Sequence, residues 1–292
     1  MFSALITPMR ADESIDYDAL GALVEHQIAR GVEGFYCCGS SGEAPLLSLN
    51  ERRQVVRTVV DAAAGRVPVI AQVGTIRTAD ALWLAREAEV AGVAAVSLTP
   101  PYYYNFSAAE IEAYFAAAME AVDLPVVVYN IPQFTRHAFD KSNAASLLGN
   151  PRVVGLKHTS QDLYALERLK AAYPEKVYFN GLDETYTSGL AAGVSGMVGT
   201  TVNVQPERFI QIREAFSRGD MATAQVVQRR VNDVVEALVS HGVFAATKYL
   251  VTLEGFPAGA SRTPFRPLGE DAKRALASVY EVLAAEHGES GG

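Results

Sequence analysis

The sequence predicts an α/β fold: a closed (β/α)8 barrel of the TIM type, followed by additional C-terminal helices. Three observations carry that prediction. Eight short β-branched or apolar runs recur before residue 200 of the 292-residue chain. Helical patterns, with apolar residues returning every three or four positions, separate them. Most of the runs are apolar on both faces, as parallel strands covered on two sides are. Eight such units in about 200 residues suit a closed barrel. The competing architecture, an open doubly wound sheet, needs a Gly-rich turn opening its first helix and a switch point in strand order, and neither is legible.

Taken in order, Phe2–Leu5 is the first strand, closed by Thr-Pro, and Tyr17–Arg30 the first helix. Gly34–Cys37 follows, then a helix over Leu49–Ala64 opened by Ser48 and Glu51 at capping-box spacing. Val67–Val73 and Ala94–Leu98 are the next strands, with helices at Ala79–Val90 and Ala108–Ala121. Val126–Tyr129 stops at a proline turn, and Val153–Lys157, Val177–Asn180 and Gly196–Val198 complete the eight. After Asn203 the pattern is helical throughout, near Pro206–Ser217, Met221–Ser240 and Asp271–Glu286. The expected division is a barrel over 1–205 that carries the active site and a helical extension over 206–292 packed on it without a linker. The tail His287–Gly292 reads as polar and unstructured.

Composition narrows the function. At 49% hydrophobic the chain has ample sequence for a core. Its two cysteines, Cys37 and Cys38, are adjacent, which suits neither a bridge nor a zinc knuckle; reduced thiols fit a cytoplasmic protein. The opening MFSALITPM lacks a basic region before a long apolar stretch, and no later segment reaches the ~18 uninterrupted apolar residues of a membrane span. With a net charge of -8 and 25 basic residues spread along the chain, no stripe is left to neutralise phosphates. His26, His137, His158, His241 and His287 show no ligand spacing, so no metal is expected. Small molecules, rather than nucleic acid or membrane, are the expected partners.

In a parallel barrel the reacting groups stand at the C-terminal ends of strands and in the loops beyond them. Along VVGLK, alternation puts Val153, Gly155 and Lys157 on one face, with Lys157 at the barrel mouth. Burial there would lower the lysine pKa from ~10.4 toward a range where the free amine is a nucleophile. Read alone, Lys157 is a lysine that reaches solvent from a strand end. Tyr129 ends the neighbouring strand, ~4.8 Å away, and a phenol beside an imine relays protons; read alone it is a structural tyrosine. The loop GSSGEAPLLS, Gly39 to Ser48, offers successive N–H groups and the Ser40 and Ser41 hydroxyls as a nest for a small carboxylate, although GSSGE by itself is also a plain turn. No Gly-Lys-Ser/Thr follows, so it is not a Walker loop. Tyr102, Tyr103 and Tyr104 cannot all face one way on a regular element, which places them at a loop tip against a pocket or a second subunit.

Together and in this order, GSSGE, TPPYYY, VVYNIP and GLKHTSQDLY resemble the N-acetylneuraminate lyase / dihydrodipicolinate synthase family of pyruvate-dependent class I aldolases, from Ala4 to about Leu268. The resemblance implies Lys157 as the Schiff-base residue, Tyr129 as its proton-shuttling partner, Ser40 in the catalytic set, and no cofactor beyond the covalent imine. It implies a homotetramer, a dimer of dimers in which a loop tyrosine, Tyr102 or Tyr103, crosses the tight interface. Lys157–Tyr164 and the stretch Asn180-Gly181-Leu182-Asp183-Glu184 are nearer the lyase branch. They imply that Thr159, Gly181, Asp183, Glu184 and Thr200 hold the polyhydroxylated tail of a sugar acid. The synthase branch carries an arginine five residues beyond the strand-five tyrosine; here that residue is Phe134, with Arg136 two further on as the nearby cation. The chain also departs from the lyases. It has Ser40-Ser41 for their usual Ser-Thr, Leu182 for an aromatic residue, and a Phe134–His137 segment without a counterpart.

Three functions follow as hypotheses. The first is a carbon–carbon lyase that splits a 2-keto-3-deoxy sugar acid, N-acetylneuraminate or a relative, into pyruvate and an aldehyde. The second is a synthase or dehydratase working through the same imine, for example on pyruvate and aspartate semialdehyde, against which Phe134 argues. The third is a keto-acid sensor without turnover, which would not need both Lys157 and Tyr129.

Overall fold

The eight runs close on themselves. β1 (Phe2–Ala4), β2 (Phe35–Cys37), β3 (Val69–Gln72), β4 (Ala95–Leu98), β5 (Val126–Asn130), β6 (Val153–His158), β7 (Val177–Asn180) and β8 (Gly196–Gly199) pair in sequence order, all parallel, and β8 returns to β1. Around the barrel run α1 (Tyr17–Ala29), α2 (Leu49–Ala63), α3 (Thr78–Ala91), α4 (Ala108–Ala121), the short α5 (Pro132–Thr135) and α6 (Ala145–Leu148), α7 (Leu163–Ala172) and α8 (Tyr186–Ala191). Beyond β8 come α9 (Pro206–Ser217), α10 (Met221–Ser240), α11 (Val243–Leu253) and α12 (Glu270–Glu289). The computed structural model describes residues 1–289, with side chains through Glu286.

Local chemistry sets the helix starts. Ser48 and Glu51 form the expected capping box, with Ser48 N–H to Glu51 at 2.7 Å and Glu51 N–H to Ser48 Oγ at 3.3 Å. Ser107 and Glu110 repeat it at α4. Asp16, Asp162 and Asp220 cap α1, α7 and α10.

Two apolar layers result. Ala4, Tyr36, Ile70, Ala95, Val127, Tyr129, Ile131 and Val198 fill the barrel, while the larger cluster joins its outer face to the helices. Lys157 pairs with Tyr129 on one side and Phe179 on the other, on the inward side of β6. Val153 does not share that face. It packs in the outer layer because the β5–β6 register shifts between Val126 and Val127, where Val127 pairs with Gly155 and Val154 is left over. One unpaired residue reverses the alternation that simple counting assumes.

The C-terminal helices contain one element that periodicity does not show, α11. It leaves α10 at a bend of 114°, made at Gly242 with φ 89, a backbone that favours glycine. Among the described residues no single helix is long and apolar enough to cross a membrane. Residues 287–289 continue α12 rather than forming a loose tail, and 290–292 lie outside the described residues.

Candidate active site

Strand ends supply the reactive centre. Lys157 is 4% exposed, and its Nζ lies 4.1 Å from the centre of the Tyr129 ring and 4.2 Å from that of Tyr36. The two rings meet edge to face at 5.7 Å, so the lysine nitrogen sits in an aromatic corner. Tyr36 is locked there, because its hydroxyl donates to Ser97 Oγ at 2.9 Å and Ser97 donates to the Val127 carbonyl at 2.9 Å. Tyr36 was not among the residues the sequence singled out. Alternation along β2 would have turned it inward, but nothing marked it as chemical.

One cavity of about 230 Å³ opens over this corner, with Ala4 and Val198 among its lining. Ser40, Ser41, Tyr129, Lys157, Thr159, Gly181, Asp183, Glu184 and Thr200 all line it. The structure thus brings together every sequence-nominated residue except the loop tyrosines. Ser41 Oγ and Thr200 Oγ1 share a hydrogen bond of 2.7 Å, which joins the β2 loop to the end of β8. Thr159 Oγ1 is buried without a partner, and a Cβ on Gly181 would stand 1.9 Å from it, so only glycine leaves that hydroxyl its place.

Asp183 gives the pocket a buried carboxyl. Burial pushes its pKa up to about 6, while the Thr201 N–H, donating to it at 2.6 Å, and the Lys157 charge favour the ionised form. Its backbone is held from α10: Gln228 Nε2 donates to the Asp183 carbonyl at 3.0 Å and Asn232 Nδ2 to that of Glu184 at 3.3 Å. Val235 and Val239 continue the same helical stripe onto the outer wall, joined by Val243 and Phe244. None of these supporting residues stood out in the sequence, since a stripe of Gln, Asn and Val reads as ordinary helix.

The loop tyrosines separate. Tyr102 is half-buried and lines a second cavity of about 310 Å³ that shares Ser40, Tyr129, Ile131, Phe134 and Phe244 with the first. Tyr103 lines neither; it is 75% exposed on left-handed backbone, φ 79. Phe134 stands on the wall of both cavities, whereas Arg136 is exposed and lines neither. Among the described residues no group of three or more His, Cys, Asp or Glu side chains gathers as a metal site.

A sequence profile of the dihydrodipicolinate synthetase family matches residues 1–283. The chain belongs to the dihydrodipicolinate synthetase family. Within it, an N-acetylneuraminate lyase from Rhizobium meliloti is 42% identical, over 97% of this chain and 94% of its own. N-acetylneuraminate lyase 2 of Escherichia coli is 37% identical, over 98% and 95%. A Clostridium difficile structure in complex with mannosamine superposes with a TM-score of 0.95 at 30% identity, over 97% and 98% of the two chains. A dihydrodipicolinate synthase from Bacillus anthracis reaches 0.92 at 27%. The barrel alone therefore does not part the branches of the family. Phe134, the residue that the sequence set against the synthase branch, stands on the pocket wall.

Proposed function

We propose that this protein is a Schiff-base aldolase that cleaves N-acetylneuraminate, or a 2-keto-3-deoxy sugar acid of the same pattern, to pyruvate and an aldehyde. The observation that carries the reading is Lys157 Nζ, buried at the end of a barrel strand between two tyrosine rings and beside an unpartnered threonine hydroxyl and a carboxyl. The carboxylate of the keto acid rests on Ser40 and Ser41, and the amine of Lys157 adds to its C2 carbonyl. Loss of water gives the protonated imine. Tyr129, left as phenolate by giving its proton to the departing water, takes the proton of the C4 hydroxyl, the C3–C4 bond breaks, and its electron pair moves into the imine to give an enamine as the aldehyde leaves. Protonation at C3 and hydrolysis by water then release pyruvate and the free lysine. The imine is the electron sink throughout, so the reaction needs no cofactor.

Thr159, Gly181, Asp183, Glu184 and Thr200 hold the hydroxylated tail. Acceptors of this kind reject a substrate that leaves them unpaired. Among the described residues no arginine lines the cavity over Lys157, where Phe134 stands instead, which disfavours condensation with aspartate semialdehyde. The aldolase works as a homotetramer in the cytoplasm, with Tyr103 as the tyrosine given to the neighbouring subunit. Its strained backbone and exposed ring support that choice over Tyr102.

Borohydride reduction in the presence of pyruvate tests the core of the reading. Peptide mapping should place a single adduct on Lys157, and Lys157→Arg should keep a cation yet lose all turnover, because a guanidinium does not form the imine. An adduct elsewhere on the folded protein would refute it.

A further inference from the structure

The molecule holds a second buried lysine that this mechanism does not use. Lys248, midway along α11, and Glu43, which closes the GSSGE motif, form an ion pair with both side chains fully removed from solvent. A buried ion pair is no guarantee of stability, since apolar residues of the same volume often serve a core as well. Its location is more informative. Glu43 has left-handed backbone, φ 56, and Cys38 on the other side of the loop has φ 57. Non-glycine residues stay in that region only where their surroundings leave them no alternative.

The surroundings of Glu43 do so from three directions. Its N–H donates to the Ser40 carbonyl at 3.0 Å, closing the turn that carries Ser40 and Ser41. Its carboxylate accepts the Arg262 N–H at 2.8 Å. Lys248 Nζ faces Oε1 as an ion pair, off the direction of a hydrogen bond, and itself donates to the Ala260 carbonyl at 3.1 Å. Burial lowers the pKa of Lys248 against the pull of Glu43, so the charge there depends on its partner.

We propose that the Glu43–Lys248 pair is the positioning element of the carboxylate anchor, fixing the Glu43 backbone and, through the Ser40–Glu43 turn, the two serine hydroxyls. The inference rests on the reading that Ser40 and Ser41 receive the carboxylate of the keto acid. α11 begins with Val243 and Phe244 on the outer wall, so the same pair sets the anchor loop against the helix that closes the pocket.

The test is a competition for borohydride trapping on Lys157 between pyruvate and pyruvamide, which keeps the ketone and replaces the carboxylate by a neutral amide. Wild type should prefer pyruvate. In Glu43→Gln that preference should fall by about tenfold or more, the worth of a misplaced hydrogen bond to a charged group, while pyruvamide trapping stays near its wild-type rate. A merely loosened fold would lower both together, and that result would overturn the proposal. Because Glu43→Gln leaves a lone buried ammonium, Glu43→Gln/Lys248→Met is made beside it, with both charges gone. The double variant should melt as a folded protein and still lack the preference; if it keeps the wild-type preference, the pair does not position the anchor. A wild type without any preference for pyruvate would remove the carboxylate reading itself, and the inference with it.

Discussion

At the scale of single residues, Tyr129 and Asp183, which line the same cavity, each allow a separate test. Tyr129→Phe keeps the ring against Lys157 and removes only the hydroxyl. It should therefore still form the imine but turn over more slowly by roughly 10²- to 10⁴-fold, as seen when a positioned acid–base is lost. Single-turnover cleavage at the wild-type rate would assign the proton to another group. For Asp183 the pKa runs from 3.8 in the unfolded chain to about 6 when folded. Between those values the folded protein keeps a proton that the unfolded chain releases. Stability accordingly falls as the pH rises through that window, and the cost is complete above it. Asp183→Asn should gain nothing near pH 4 and be the more stable by on the order of 3 kcal/mol near pH 7, about 1.4 kcal/mol per pKa unit. Denaturant titrations with equal differences at the two pH values would contradict this. The chemistry of both residues could be nominated from sequence because each belongs to a motif. The aromatic corner could not, since Tyr36 reaches Lys157 across the barrel and no local pattern reports that.

At the scale of elements, β5 and β6 are clasped beyond their ladder. Asn130 and His158 end the two strands in register; Asn130 Nδ2 donates to His158 Nδ1 at 3.1 Å, and His158 Nε2 donates to the Asp162 carbonyl at 3.0 Å. This arrangement requires the neutral ring. Burial lowers the His158 pKa below 6.5, with Asp162 opposing. The clasp therefore contributes in full above pH 6.5 and weakens as the pH falls below it. His158→Gln can make both bonds without titrating, so the stability difference between wild type and variant should stay constant above pH 6.5 and shift in favour of the variant under acid. Parallel melting curves down to about pH 5 would argue against the clasp. Element types were legible where one chain segment decides them, as at Tyr17–Ala29 or Met221–Ser240. The outward placement of Val153 was not, because the register shift belongs to two strands at once. α11 was also hidden: its run VFAATKYLVTL is apolar on nearly every side and follows a glycine that reads as a stop.

At the scale of the molecule, the exposed aromatics ask for a partner. Tyr103 and Tyr104 meet at 5.0 Å and Tyr104 and Phe106 at 6.1 Å, a ladder of rings that ends in solvent at 75% exposure. Light scattering at micromolar concentration should give four times the chain mass, and Tyr103→Ala should shift it toward smaller species. A monomeric wild type would remove the proposed tetramer. The likeness of lyase and synthase barrels also has a cause at this scale: Lys157 and Tyr129 sit on strands that each have two neighbours, whereas Phe134, Leu182, Glu184 and Val239 sit on connections and on an added helix.

That last division bears on how such an enzyme can be changed. Every barrel strand is clamped on both edges, so a shift that moved Lys157 would have to break two ladders. The tail side carries no such restraint. Randomising positions 134, 182, 184 and 239 would search aldehyde partners while leaving the electron sink untouched. On the proposed mechanism, the fold is a fixed pyruvate-activating cartridge with an interchangeable acceptor face for directed evolution.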